Sequence, residues 1–244
     1  MKKGILNYFV IAVFALSAAF TSCDKNNDDD NKGNSDIALV SRILLYGEIP
    51  YDFTYDAQNR LSSIDFGYTV VPITYPSANT MVAIFLEKEF VFTLNNDGNI
   101  VKMRDPDGYE YLYEYKNGYL VKATEGSWET NWIWENENLI SVPWEGGGET
   151  YTYSTILSKE TNIAPWTTPM LLICGHGDAF YTFFPAIYFG KSSKYLVSSA
   201  IRDDDQREYR YETNADGYVT KVYEPRVDDD GNTWENLLYE IQYK

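Results

Sequence analysis

Aromatic side chains recur at alternate positions throughout the chain: Tyr51, Phe53 and Tyr55; Phe90 and Phe92; Tyr109, Tyr111, Tyr113 and Tyr115; Trp132 and Trp134; Tyr151 and Tyr153; Tyr209 and Tyr211; Tyr239 and Tyr243. A period of two places each set on one face of a β-strand. Glu110, Leu112 and Glu114 alternate with the tyrosines of 109–115, so the opposite face is mainly charged and the aromatic face is the one to bury. Each run ends in a polar turn followed by an aliphatic restart: Asp56-Ala57-Gln58-Asn59 before Leu61, Asn96-Asp97-Gly98 before Ile100, Lys116-Asn117-Gly118 before Leu120, Asn136-Glu137-Asn138 before Leu139, Asn214-Ala215-Asp216-Gly217 before Val219. Asn, Asp and Gly tolerate the positive φ that tight hairpin turns demand.

Taking Asn59, Gly98, Gly118, Glu137 and Gly217 as equivalent turn positions gives spacings of 39, 20, 19 and 80. The unit is therefore a hairpin of about twenty residues. The expected fold is all-β, an antiparallel up-and-down meander of about ten to fourteen short strands. So long a sheet leaves open edges unless it curls, which favours a barrel or strongly curved half-barrel over a two-sheet sandwich. A membrane-spanning barrel needs strands of about nine to eleven residues with a lipid-facing apolar band; the shorter strands expected here describe a soluble domain. One stretch, near 161–188, breaks the rhythm with Pro165, Pro169 and Pro185 and an apolar run from Met170 to Cys174. An irregular plug or a short buried helix is expected there.

The N-terminus fixes where such a domain works. Lys2 and Lys3 precede an apolar run from Ile5 to Phe20, and Phe20-Thr21-Ser22-Cys23 closes it. This reads as a signal peptide over 1–22 with lipid attachment at Cys23, and the membrane is reached through that anchor alone. Residues 23–36 are polar and acidic before Ile37, which describes a disordered tether; residues 37–244 form one domain. Without the two lysines of residues 1–22, the net charge of −16 becomes −18. That excludes nucleic acid as a partner, because phosphate contacts need clustered Lys and Arg. With Cys23 acylated, Cys174 has no partner for a disulfide.

Tyr55-Asp56-Ala57-Gln58-Asn59-Arg60-Leu61 resembles one copy of the YD repeat of RHS-type shells, with Asn59 in place of the usual Gly. Tyr113 to Val121 and Tyr211 to Val219 are looser copies. The signal, Cys23, the Tyr-x-Tyr-turn-Leu repeats and the segment Gly190-Lys191-Ser192-Ser193-Lys194-Tyr195-Leu196 together resemble a Bacteroidales lipoprotein family, domain of unknown function 4595, with a porin-like fold. The resemblance implies a barrel-like antiparallel sheet and no activity. The acidic residues behind Cys23 also resemble the surface-export signal of Bacteroidetes lipoproteins, which implies an outer-membrane, outward-facing location.

Candidate chemistry is sparse. His176, beside Cys174 and Asp178, is the only histidine and lacks a nucleophile motif, so no catalytic residue is assigned. Asp228-Asp229-Asp230-Gly231-Asn232 offers hard oxygen ligands without the spacing of an EF-hand loop, and no metal or other cofactor is expected. Trp128, Trp132 and Trp134 share parity, with Trp144 and Trp166 nearby in sequence; they either fill the core or form a platform on which sugar rings stack. The expectation is a monomeric, non-enzymatic surface lipoprotein that binds a polysaccharide or peptide through an aromatic face. An envelope scaffold or partner-protein module is the alternative, and a hydrolase the third.

Overall fold

The computed structural model describes residues 37–144, 147–163, 186–202, 205–227 and 231–244. Cys23, the tether, Trp166, Cys174, His176 and Asp178 lie outside these residues, as do Asp228 to Asp230.

Successive antiparallel hairpins build the domain. β1 (Val40–Leu45) pairs with β2 (Ile49–Tyr55), which pairs with β3 (Leu61–Asp65). The meander continues through β4 (Val70–Ser77), β5 (Thr80–Phe85), β6 (Lys88–Leu94), β7 (Ile100–Arg104), β8 (Glu110–Lys116), β9 (Tyr119–Glu125) and β10 (Trp128–Asn131). On its other side β1 meets β18 (Thr233–Tyr243), followed by β17 (Val219–Val227) and β16 (Arg210–Thr213), which completes a 13-stranded sheet. A 5-stranded sheet holds β11 (Ile133–Glu135), β12 (Asn138–Trp144), β13 (Gly147–Leu157), β14 (Tyr195–Arg202) and β15 (Asp205–Glu208). Among the described residues no helix is long and apolar enough to cross a membrane.

Two expectations need correction. The described residues form eighteen strands, not ten to fourteen, because aliphatic strands such as β1 and β5 carry little of the aromatic signal that marks their partners. The ladders also form two sheets instead of one, since β10 and β11 are separated by Trp132 alone, and β15 and β16 by Tyr209 alone. Both joints stay hydrogen-bonded: the Trp132 N–H donates to Val121 O at 2.9 Å and the Tyr209 N–H to Ser198 O at 2.9 Å.

The turns follow the sequence reading closely. Asp56 Oδ1 accepts from the Gln58 and Arg60 N–H groups, Asn95 Oδ1 from Asp97 and Asn99, and Asn214 Oδ1 from Asp216 and Tyr218. Each side chain thereby closes a five-residue loop whose fourth residue is left-handed: Asn59 at φ 59°, Gly98 at 82° and Gly217 at 86°. Asn59 fills its position because Asn tolerates this region better than other residues with a Cβ.

The aromatic face is the buried one, except that Tyr109, expected to bury with Tyr111 and Tyr113, precedes β8 and is 60% exposed. Tyr51, Phe53, Phe90, Phe92, Tyr111 and Tyr113 join Ile43, Ile64, Met81, Ile100 and Met103 in a single apolar core. The opposite face carries hydroxyls and exposed ion pairs, including Arg42–Asp52, Lys102–Glu110 and Lys122–Glu129. Such pairs contribute little to stability, but they keep that face hydrated.

A further repeat emerges only in three dimensions. The last aromatic of a hairpin donates to the backbone carbonyl of the residue that opened it: Tyr55 to Val40, Tyr75 to Leu61, Tyr115 to Ile100, Tyr153 to Leu139, Tyr211 to Val197 and Tyr243 to Val219. In the β9 repeat the indole of Trp134 takes the role, with Nε1 2.7 Å from Leu120 O. The ladder slips at or beside this aromatic, between Thr54 and Tyr55, Glu114 and Tyr115, Ile133 and Trp134, Thr152 and Tyr153, and Glu212 and Thr213. The slip bends the strand, and the side chain satisfies a carbonyl at the start of the neighbouring strand.

Burial raises the proton affinity of these phenols; Tyr153 is pushed up to about 12, and Tyr55, Tyr75, Tyr115, Tyr211 and Tyr243 move the same way. Replacing Tyr211 by Phe strands the Val197 carbonyl and is expected to cost about 1–3 kcal/mol in chemical denaturation; a loss near zero would show that the bond is not formed. The pH dependence has a definite sign. Each raised phenol stabilises the fold fully below the ordinary tyrosine value of 10.0, and the contribution is lost as pH rises through the folded value. Alkaline titration followed by tyrosinate absorbance and circular dichroism should therefore show ionisation and unfolding together above that pH.

Candidate functional site

The hairpins give the domain two chemically different ends. At the end where the chain enters the sheet lie the turns Asp56–Arg60, Asn95–Asn99, Asn117–Gly118 and Asn136–Glu137, with the aromatic latches beneath them. The segments flanking the irregular stretch pack onto those latches. Asn162 donates from Nδ2 to Tyr55 Oη at 2.6 Å and accepts at Oδ1 from the Val40 N–H at 2.8 Å. Tyr188, within the 3-10 turn Ala186–Phe189, meets the Tyr75 hydroxyl, and Phe189 packs edge-on against Tyr113 with centroids 5.3 Å apart. Ser193 Oγ accepts from the Leu139 N–H at 3.2 Å and lies 3.0 Å from the Tyr153 hydroxyl. Of the stretch expected to hold an irregular or short helical insert, only residues 161–163 and the 3-10 turn Ala186–Phe189 are described; residues 164–185 lie outside the described residues.

A cavity of about 500 Å³ opens at this end, lined by Asp97, Asn99, Asn117, Glu160, Thr161 and Lys191 among others. Gly190 forms its floor at φ 86°, where an added Cβ would fall 2.3 Å from Gly118 O. Gly190→Ala is expected to destabilise the fold by at least about 1–3 kcal/mol through clash and left-handed strain. Faster proteolysis near 186–194 would report it, whereas wild-type behaviour would show that this segment is not seated on Gly118.

The opposite end collects most of the exposed large apolar side chains: Tyr46 and Ile49, Tyr68 and Val70, Ile84 and Leu86, Tyr109, Trp128, Val227 and Trp234. Each lies in or beside a connection within a hairpin, so together they edge one rim. Just inside it the buried face turns polar. Tyr151 donates to Glu149 Oε2 at 2.7 Å, Arg202 stands 3.7 Å from the same oxygen, and buried Glu224 pairs with Arg226 at 2.9 Å.

The structure separates the tryptophans that share parity in sequence. Trp128 is 69% exposed on the rim, while Trp132 is 4% exposed in the core, with no hydrogen-bond partner for its Nε1 among the described residues. Trp134 is half-buried at the other end, its ring tilted at 40° to that of Tyr119 with centroids 4.6 Å apart, and bonded to Leu120 O. The side chain of Trp144 and all of Trp166 lie outside the description. Sequence reasoning missed Tyr46, Tyr68, Tyr109 and Trp234; the available signal was an aromatic beside each turn within a hairpin, as in Tyr46-Gly47 and Gly108-Tyr109.

No family model matches the chain, and no curated protein does. Among solved structures it is similar to a porin-like protein from Bacteroides uniformis, at 16% identity and a TM-score of 0.60, covering 83% of this chain and 98% of that one. A porin-like protein from Bacteroides vulgatus matches at 10% identity and a TM-score of 0.56, covering 84% and 98%. At these identities the likeness shows a shared fold, a β-rich porin-like architecture seen in Bacteroides proteins.

Proposed function

We propose that this chain is a non-enzymatic, lipid-anchored binding module of the outer membrane, displayed outward. Cys23 carries the anchor, and the rim opposite the entry of residue 37 makes the contact. The observation that carries this reading is that the exposed aromatics Tyr46, Tyr68, Tyr109, Trp128 and Trp234 all sit in or beside connections at one end of the hairpins; scattered apolar residues would be ordinary, whereas a concentration of them at one end marks an interaction site. The described core is filled by Phe53, Phe92, Tyr111 and Tyr113, which favours binding at the rim over binding inside.

We further propose that the two sheets form one closed wall. Because Trp132 bonds back to β9 and Tyr209 to β14, the β10–β11 and β15–β16 segments act as two strands, each shared between the sheets, leaving no open edge to aggregate. A hydrated outer face with ion pairs fits a soluble domain held by lipid, since a membrane-spanning barrel would present an apolar band.

The test uses intrinsic fluorescence titrated with a panel of extracellular polysaccharides and peptides. A binder should quench a saturable fraction of emission, and Trp128→Phe with Trp234→Phe should abolish that response. A response carried instead by Trp132 or Trp134 would move the ligand into the core and overturn the rim assignment.

A further inference from the structure

The exposed rings of the rim do not stand alone. On the connections from β1 to β8, Glu48, Asp65, Glu87, Glu89, Asp105 and Asp107 face only Lys88 and Arg104, and none of these six carboxylates forms an ion pair among the described residues. Between the β5–β6 and β7–β8 turns a depression of about 570 Å³ is lined by four carboxylates, Glu87, Glu89, Asp105 and Asp107, against two cations, Lys88 and Arg104, with exposed Leu86 and Tyr109 next to the lining residues in sequence. An apolar rim with this charge disfavours anionic partners and suits cations, which an aromatic face and a carboxylate attract together.

The same chain shows what such a pair holds. Arg60 lies 4.0 Å from the centre of the Tyr75 ring while paired to Asp56 at 2.7 Å. Arg210 lies 4.0 Å over the Tyr223 ring while paired to Glu235 at 2.5 Å. A guanidinium sandwiched between a tyrosine ring and a carboxylate is thus an arrangement this fold makes twice internally. Tyr46 beside Glu48, Tyr68 near Asp65 and Tyr109 beside Asp107 offer the same combination outward.

Resting on the rim as the contact surface, we infer that its partner is a Lys- and Arg-rich polypeptide segment. Basic side chains enter the Glu87–Asp107 depression and lie over the neighbouring rings, while apolar residues of the segment cover Ile84, Leu86 and Val70. A neutral polysaccharide would gain nothing from this charge and an acidic one would be repelled.

The experiment uses the full chain in detergent micelles, with a fluorescein-labelled lysine–leucine decapeptide read by anisotropy at physiological salt. Its glutamate–leucine counterpart and a labelled dextran serve as comparisons. Saturable binding of the lysine peptide alone is expected. It should weaken at least tenfold in Tyr109→Ser combined with Trp128→Ala, a pair that changes no charge, and be unaffected by Asp97→Asn at the other end. Near-ultraviolet circular dichroism of each variant guards against unfolding. No binding of the lysine peptide overturns the inference, as does binding that the rim pair leaves unchanged, which is electrostatic attraction to an acidic protein at large. Dextran binding that the rim pair abolishes also overturns it, yet leaves the rim as the contact surface. Failure of both probes together with an unquenched Trp128 would remove the rim reading as well.

Discussion

The structure depends on one recurring interaction, the hydrogen bond from the last aromatic of each hairpin to the carbonyl of the residue that opened it. A long antiparallel sheet has a recurring difficulty where one hairpin hands over to the next. The ladder slips there, and a carbonyl at the strand start loses its partner beneath a covered end. Tyr55, Tyr75, Tyr115, Tyr153, Tyr211 and Tyr243 supply the missing donor, and Trp134 does so with an indole. The rings fill space under the turns while the hydroxyls complete the backbone, so one side chain performs packing and polar satisfaction together. The β5–β6 hairpin has Leu94 in the place of the donor, and there the ring is replaced by aliphatic packing alone.

The closure proposed above needs curvature, and the same slips are a source of it: a bulge bends its strand and adds twist. The chain passes between the two sheets at Trp132, bonded to β9, and Tyr209, bonded to β14. The molecule is also sorted by end. Latches and the flanks of the irregular segment gather where the chain enters, whereas the connections within hairpins are left to the far rim, where Asp105 closes one further Asx turn onto Asp107 and Tyr109. There the sequence is relieved of any need to satisfy the core, and Tyr109, Trp128 and Trp234 stand exposed among carboxylates.

Much of this was legible in the sequence. The turn positions read from the polar motifs between strands, Asn59, Gly98, Gly118, Glu137 and Gly217, all have positive φ in the structure. The period-two aromatic runs identified the buried face, because alternation reports directly which side of a strand meets water. Strand number was undercounted where the first strand of a hairpin is short and aliphatic, as in β1 and β5. The grouping of Trp128, Trp132 and Trp134 illustrates the limit of parity. Parity assigns a face but not a height along the strand, so it cannot separate Trp128 at the rim from Trp132 in the core, nor register the slip between Ile133 and Trp134. Six of the seven latches left a faint trace as a 14- or 15-residue interval from an aliphatic restart to an aromatic, and Tyr243, 24 residues from Val219, left none; the interval becomes meaningful only once the slip in the ladder is seen.

The claim that most needs testing is that the two sheets are one continuous wall hinged at Trp132 and Tyr209. Amide hydrogen exchange resolved to single residues measures it directly. The account predicts that the Trp132 and Tyr209 amides, bonded to Val121 and Ser198, exchange as slowly as those of central strands such as β6. Exchange at both sites as fast as in the rim connections would mean two separately opening sheets with free edges, and would contradict it.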